Sequence, residues 1–341
     1  MKRIIRIVAV LTLFVAVSAF AATPGLRDTS RQLVEQSDTG SVVAGVDGWL
    51  FFKEELQHLA AGKFWGEAAG TASQARDKSS ADPLPAIEEY NKLLADRGIT
   101  LYLMPVPPKA LIYPDKLSPA LDQSAAAGEL ALYREFYEQL AASGVKVIDL
   151  LPTLQENRDK AQLYCRTDTH YSGEGLALFA KAAAEALKKE AWYADVAKKQ
   201  YKQSVQKVTI RGDLTQMAGG SGPEEELELA MVTGKDDGKP VESDMKSPVI
   251  LLGDSHALVF QAGGDLHAKG AGFFDHLSAE LGFPVDLLGV RGSGVTPARI
   301  KLFQRAKQDD GYLTGKKALI WCFAAREFTG SGGWRQIPVA P

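Results

Sequence analysis

Val249-Ile250-Leu251-Leu252-Gly253-Asp254-Ser255-His256-Ala257 is the stretch from which the rest of this chain can be read. Four successive apolar residues, the first two β-branched, have the pattern of a strand buried on both faces. A small residue then turns the chain, and the hydroxyl of Ser255 stands at the strand's carboxyl end, where open α/β sheets collect their reacting groups. A Gly-Asp-Ser turn can also do no more than cap the helix that follows. What separates the two readings is whether a base is available to the hydroxyl.

Thr167-Asp168-Thr169-His170, upstream and just before a strong helical pattern, supplies one. A serine hydroxyl is a poor nucleophile at neutral pH. It needs an imidazole to take its proton and a carboxylate to fix the imidazole's tautomer and stabilise its charged form. In an extended segment, residues two apart point the same way, so Asp168 and His170 can face one site. Triads are recognised by these roles and not by their order in the chain.

These residues resemble the SGNH-hydrolase-like domain of the alginate O-acetyltransferases of the AlgJ and AlgX type, in which Asp-x-His precedes the Gly-Asp-Ser block. Ordinary SGNH esterases run the other way, so the motif order here is the circularly permuted one. Further segments resemble the same family: Gly45-Val46-Asp47-Gly48-Trp49-Leu50-Phe51, Pro105-Val106-Pro107-Pro108-Lys109 with Tyr113-Pro114, Gly212-Asp213-Leu214, and Ile320-Trp321 followed by Arg326-Glu327. The resemblance runs from about residue 40 to 330.

It implies an exported serine O-acetyltransferase acting on an alginate-like or cellulose-like exopolysaccharide, with Ser255 as nucleophile, His170 as base and Asp168 as orienting carboxylate. It also implies a periplasmic location, a membrane-bound O-acyltransferase as acetyl supplier, and other polysaccharide-secretion proteins as partners. No diffusible cofactor is required. A carbohydrate acetylesterase with the same triad and a non-catalytic polysaccharide-binding or assembly protein on the same fold remain open beside it.

At 341 residues, 45% hydrophobic and 24% charged, the chain can bury an ample core. A net charge of −3 argues against a nucleic-acid binder. Basic Met1 to Arg6, an apolar run from Ile7 and small residues at Ala19-Phe20-Ala21 form a secretory signal over 1–22; an uncleaved anchor is the alternative. Residues 23–44 read as an amino-terminal arm and 45–341 as the main domain, with an insertion at about 191–247.

Strand patterns near residues 99, 145, 249, 285 and 318 alternate with helical ones, which predicts a three-layer α/β fold with a mainly parallel sheet of about five strands. Within the insertion, only Lys207 to Ile210 reads as a short strand, 219–228 and 234–239 read as loops, and Glu224-Glu225-Glu226 reads as a solvated face or a first helical turn. Ser172 is placed to cap the helix after His170, whose field disfavours the imidazolium.

Several residues complete the expected site. Arg291-Gly292-Ser293-Gly294 follows a strand, and an amide or hydroxyl from residues 292–294, with the amide of Ser255, can form an oxyanion hole; the asparagine that serves ordinary SGNH enzymes is missing from this loop. Lys109, at another strand exit, either neutralises a developing or bound negative charge or is solvated. Arg326 either holds a sugar or its carboxylate or makes an ion pair with Glu327 or another acid. His256 should turn away from the hydroxyl, since neighbours at a strand end face opposite sides. Cys165 and Cys322 either form one disulfide or are buried thiols. The five histidines show no metal-ligand spacing, and Gly219-Gly220-Ser221-Gly222 precedes no phosphate-binding strand-helix unit.

Overall fold

The computed structural model describes residues 24–37 and 40–341, so the expected signal segment at 1–22 lies outside the described residues. Among them no helix is long and apolar enough to cross a membrane. The helix Leu26–Gln36 packs Leu26 and Ser30 inward and lies on the helix Lys53–Ala61. Between them β1 (Val42–Ala44) and β2 (Leu50–Phe52) form a small antiparallel hairpin. Its turn has φ 53° at Asp47 and 78° at Gly48, with Trp49 N–H donating to Val46 O at 3.0 Å. Asp-Gly is the pair that tolerates two positive φ values in succession.

Five strands build the central sheet: β3 (Thr100–Val106), β4 (Lys146–Val147), and, after a separate ribbon of β5 (Tyr201–Ile210) and β6 (Glu225–Gly234), β7 (Val249–Gly253), β8 (Asp286–Gly289) and β9 (Ala318–Ala324). The sheet order is β4-β3-β9-β7-β8, and every pairing is parallel. The last strand thus enters the middle of the sheet. All seven residues of β9 and all five of β7 are buried, as a parallel sheet covered on both faces requires. Each fully buried Leu or Ile there contributes about 2 kcal/mol of transfer free energy.

Alternate residues of β9 define the two faces. Trp321 meets Tyr90 of the helix Pro83–Ala95, and the buried guanidinium of Arg299, from the helix Thr296–Gln308, lies over both rings at 5.4 and 5.1 Å. The helices Gly173–Leu187 and Phe273–Leu281 pack against each other, and Phe179 of the first meets Tyr171 edge-on at 4.8 Å. Ser172 caps the first of these, its Oγ accepting from Gly175 N–H at 3.2 Å.

Two expectations need correction. The strand pattern that reads over Val145 to Leu150 forms a strand only over Lys146–Val147, because Asp149 Oδ1 accepts from Leu151 N–H at 2.9 Å and starts a helix instead. Within residues 191–247, β5 and β6 pair antiparallel over ten residues each, with Tyr201 opposite Gly234 and Ile210 opposite Glu225. The middle of β5 is exposed on both faces, so it lacks the apolar alternation by which a half-buried strand is read. Both cysteines are free and buried.

Candidate active site

Ser255 follows β7 at the carboxyl edge of the sheet and opens a short 3₁₀ turn, Ser255–Ala257. The turn is tight because Gly253 has no side chain: a Cβ there would lie 2.2 Å from Cys322 O. Asp254 points inward as a structural anchor, accepting from His256 N–H and from Ala324 N–H, both at 2.8 Å, which ties the end of β7 to the end of β9. The Ser255 side chain is left half-buried at the surface of the site.

The second segment arrives from the loop before the helix Gly173–Leu187. His170 Nε2 lies 2.8 Å from Ser255 Oγ, and His170 Nδ1 lies 2.6 Å from Asp168 Oδ1. Asp168 Oδ1 also accepts from the His170 amide at 3.0 Å, while its Oδ2 accepts from Asp213 N–H at 2.8 Å and from His267 Nε2 at 2.9 Å. Burial alone would favour the protonated acid. The charge of His170 and the hydrogen bonds from His170 and His267 outweigh it and hold Asp168 well below the ordinary carboxylate range.

Burial likewise opposes the imidazolium of His170, but Asp168, with Asp213 and Asp254 beyond, prevails and raises its pKa above 6.5. The carboxylates therefore outweigh burial. A protonated His170 cannot take the serine's proton, so any activity that needs His170 as base would be present above its pKa and lost below it. The acid limb of kcat/KM against pH is accordingly expected to have its midpoint above 6.5; a midpoint below that value would mean that burial dominates.

The rest of the loop is clamped from two sides. Lys109 is fully buried, and its Nζ donates to the carbonyls of Leu50 at 2.8 Å and of Cys165 and Asp168 at 2.7 Å each. Glu225, also buried, accepts from the amides of Arg166 at 2.9 Å and Thr167 at 3.1 Å and from the Thr167 hydroxyl at 3.1 Å. A cation on the carbonyls and a carboxylate on the amides hold one short piece of backbone, and charge-assisted bonds of this kind are the strong ones. Lys109 is thus neither a solvated lysine nor a group offered to substrate, and Glu225 is neither a solvated acid nor part of a helix.

Asp213 completes the frame. Its carboxylate accepts from Thr169 N–H at 2.7 Å and from Thr169 Oγ1 at 2.6 Å. The preceding Gly212 is needed for contact, since a Cβ there would fall 2.0 Å from Thr167 O. Asp168, His170 and Asp213 lie close enough together to suggest a metal cluster. Their ligand atoms, however, already bond to one another and to the backbone and hydroxyl donors named above.

The glycine loop after β8 presses on the serine turn: a Cβ on Gly294 would lie 2.8 Å from Asp254 N. Gly292 is exposed with φ 82°, and Ser293 Oγ donates to Glu327 Oε2 at 3.3 Å. Among the described residues, the amides of Ser255, Gly292, Ser293 and Gly294 donate to no protein acceptor. They are therefore available to an oxyanion, whereas the Ser293 hydroxyl is turned toward Glu327. Arg326 lies 3.6 Å from Glu55 and 4.0 Å from Glu54, with its guanidinium over Phe52 at 5.1 Å. This is the ion-pair reading, with Glu55 as the nearest acid, while Nε and Nη1 are buried and make no hydrogen bond among the described residues. His256 bonds through Nδ1 to Asp254 at 3.0 Å and makes no bond to Ser255, its ring lying 4.7 Å from that of His170.

An alcohol at the end of a parallel strand, met there by an upstream imidazole and carboxylate in a three-layer α/β fold, places the molecule in the SGNH-hydrolase-like class. The family model described as "SGNH hydrolase-like domain, acetyltransferase AlgX" matches residues 42–325, and the chain belongs to that family. It is 29% identical over 174 residues to the probable alginate O-acetylase AlgJ of Pseudomonas syringae pv. tomato, a match that spans 51% of this chain and only 40% of that protein's length. It is 26% identical to the Pseudomonas fluorescens AlgJ over 84% of this chain and 68% of the relative. The fold is shared with the O-acetyltransferase domain of Pseudomonas putida AlgJ (TM-score 0.63, 22% identity, 85% of this chain and 92% of that one) and with Pseudomonas aeruginosa AlgX (0.62, 21%, 86% and 64%). Asp213 was legible only as a neighbour of the site, through Gly212-Asp213-Leu214. His267 carried no signal, being a lone histidine in a glycine-rich loop.

Proposed function

We propose that the protein is an exported, periplasmic O-acetyltransferase that moves acetyl groups onto hydroxyls of an exopolysaccharide through an acetyl-Ser255 intermediate. The observation that carries this reading is the unbroken line from Asp168 Oδ1 through His170 to Ser255 Oγ, at 2.6 and 2.8 Å. In the first half-reaction, His170 Nε2 takes the hydroxyl proton as Oγ bonds to the acetyl carbon, and the donor leaves with that proton. In the second, His170 takes the proton of a sugar hydroxyl, the sugar oxygen bonds to the acetyl carbon, and Ser255 departs with the proton restored.

Amides of Ser255 and of residues 292–294 would bind the oxyanion of both tetrahedral intermediates, where one donor is typically worth about 3 kcal/mol. A groove lined by Ser293, Thr296, Pro297, Ser331 and Arg335 opens beside that loop and offers a path for the acceptor. The acetyl donor would reach the site from a membrane-bound O-acyltransferase, since acetyl-CoA is cytosolic, and the protein would work with other polysaccharide-secretion components.

Transfer and hydrolysis share the first half-reaction and differ in which oxygen takes the acetyl group. With an aryl acetate as donor and a uronate oligosaccharide as acceptor, acetylated sugar is expected to accumulate in preference to free acetate. Acetate alone, at the same rate with or without acceptor, would make the protein an esterase. Failure of a serine-directed fluorophosphonate to label Ser255 would favour a non-catalytic scaffold.

A further inference from the structure

We infer that His267 is a positioning residue of this site, forming with Asp168, His170 and Ser255 a four-member hydrogen-bonded chain in which one carboxylate is held between two imidazoles. His267 Nε2 donates to Asp168 Oδ2 at 2.9 Å while His170 engages Oδ1, so the carboxylate is gripped at both oxygens by side chains, one of them from a segment 99 residues away.

The loop that delivers His267 is built to hold it. Phe260, Gly263, Gly264, His267 and Gly270 all have positive φ, at 59°, 71°, 63°, 72° and 78°. At His267, ψ −61° makes this a γ-turn, closed by Ala268 N–H donating to Leu266 O at 3.0 Å; such strained geometry costs about 1–3 kcal/mol and persists only where the surroundings impose it. The loop folds on itself, with Phe260 N–H donating to Leu266 O at 2.9 Å, Gly263 N–H to Ala268 O at 2.8 Å and Ala271 N–H to Phe260 O at 3.0 Å. The His267 side chain is nearly buried, its ring 5.9 Å from that of Phe260. On its outer side, Asp265 pairs with Arg291 at 2.5 Å, which ties the loop to the start of the glycine loop offered to the oxyanion.

A second donor does two things to Asp168. It stops the carboxylate rotating about its own bond, which fixes the plane presented to His170. It also withdraws electron density, so Asp168 pulls less strongly on the Nδ1 proton than it would with that oxygen bare. The other charged or titratable groups facing the pair are Asp213, at 3.8 Å from His170 Nδ1, Lys109, bonded to the Asp168 carbonyl, Cys165 beneath the loop, and Asp254 with His256 behind the serine. None of these donates a side-chain hydrogen bond to the Asp168 carboxylate. His267 is the side chain whose removal bares Oδ2 to a single backbone donor.

The inference rests on the acetyl-transfer reading for its kinetic test and not for its spectroscopic one. In the full exported chain, His267→Ala is expected to lower kcat by about 30-fold with KM for the acetyl donor unchanged, within the range usual for groups that orient a reacting residue. His267→Gln, which keeps a side-chain N–H, is expected to recover part of the loss. Independently of turnover, the NMR titration midpoint of His170 is expected to move upward in His267→Ala, by about threefold in proton affinity, as the bared carboxylate pulls harder. A loop that merely packs would lower thermal stability or the fraction labelled by fluorophosphonate and leave that midpoint in place. An unmoved midpoint in a folded His267→Ala overturns the inference. A kcat within twofold of wild type overturns it too. A shifted midpoint in a protein that transfers no acetyl group upholds the four-member chain and overturns only the acetyl-transfer reading.

Discussion

Ser255→Ala is expected to abolish acetyl transfer, with kcat falling by about 10⁶-fold, the loss typical of removing a serine nucleophile. The fold should survive the change. The Ser255 side chain makes its one hydrogen bond to His170, and the turn that carries it is held by backbone and Asp254 contacts that do not involve Oγ. Losing one half-buried hydroxyl costs about 1 kcal/mol of stability, a few degrees in Tm for a domain of this size. Circular dichroism and a thermal melt alongside the transfer assay separate the two effects. Transfer at more than a few per cent of the wild-type rate in a clean preparation would mean that the acetyl group passes directly from donor to acceptor.

Asp168→Asn is expected to cost about 10⁴-fold in kcat, about 5.5 kcal/mol of transition-state stabilisation. An amide is nearly isosteric with the carboxylate but cannot accept at both ends. Asp168 receives two donors on each oxygen, so one side of the substituted amide must set N–H against N–H. If the amide nitrogen faces His170, the imidazole carries its proton on Nε2 and has no lone pair for Ser255. If it faces Asp213 and His267, those donors are left bare at a buried site, at about 1–3 kcal/mol. Either way the charge that raises the His170 pKa is gone. The acid limb of whatever activity remains should therefore fall to lower pH. A residual limb at the wild-type position would show that Asp213 and Asp254, and not Asp168, set the basicity of His170.

Much of the architecture was legible because the central strands are continuous apolar runs between turn signals: Val249–Gly253 and Ala318–Ala324 could hardly be anything but buried parallel strands. The Asp168, His170 and Ser255 constellation was legible for a different reason, since the three residue types and the two-residue spacing have a chemical meaning before any fold is known. What escaped was set by contacts between distant segments. Glu225 read as a solvated acid within an acidic run, yet it is buried against the amides of residues 166 and 167. Lys109 read as a charge at a strand exit, and three carbonyls with no local partner draw it inward. Only Lys207 to Ile210 of β5 read as strand, because its middle, exposed on both faces, leaves no periodic trace. His267 was missed because its partner lies far upstream in the chain.

The central claim is that Ser255 carries the acetyl group between donor and acceptor, and intact-protein mass spectrometry after brief reaction with an acetyl donor, without acceptor, tests it most directly. The expected result is a mass increase of one acetyl group, mapped by peptide fragmentation to Ser255, missing from Ser255→Ala and discharged on adding the oligosaccharide. Acetyl found on another residue, or a Ser255 adduct that the acceptor never discharges, would contradict the account.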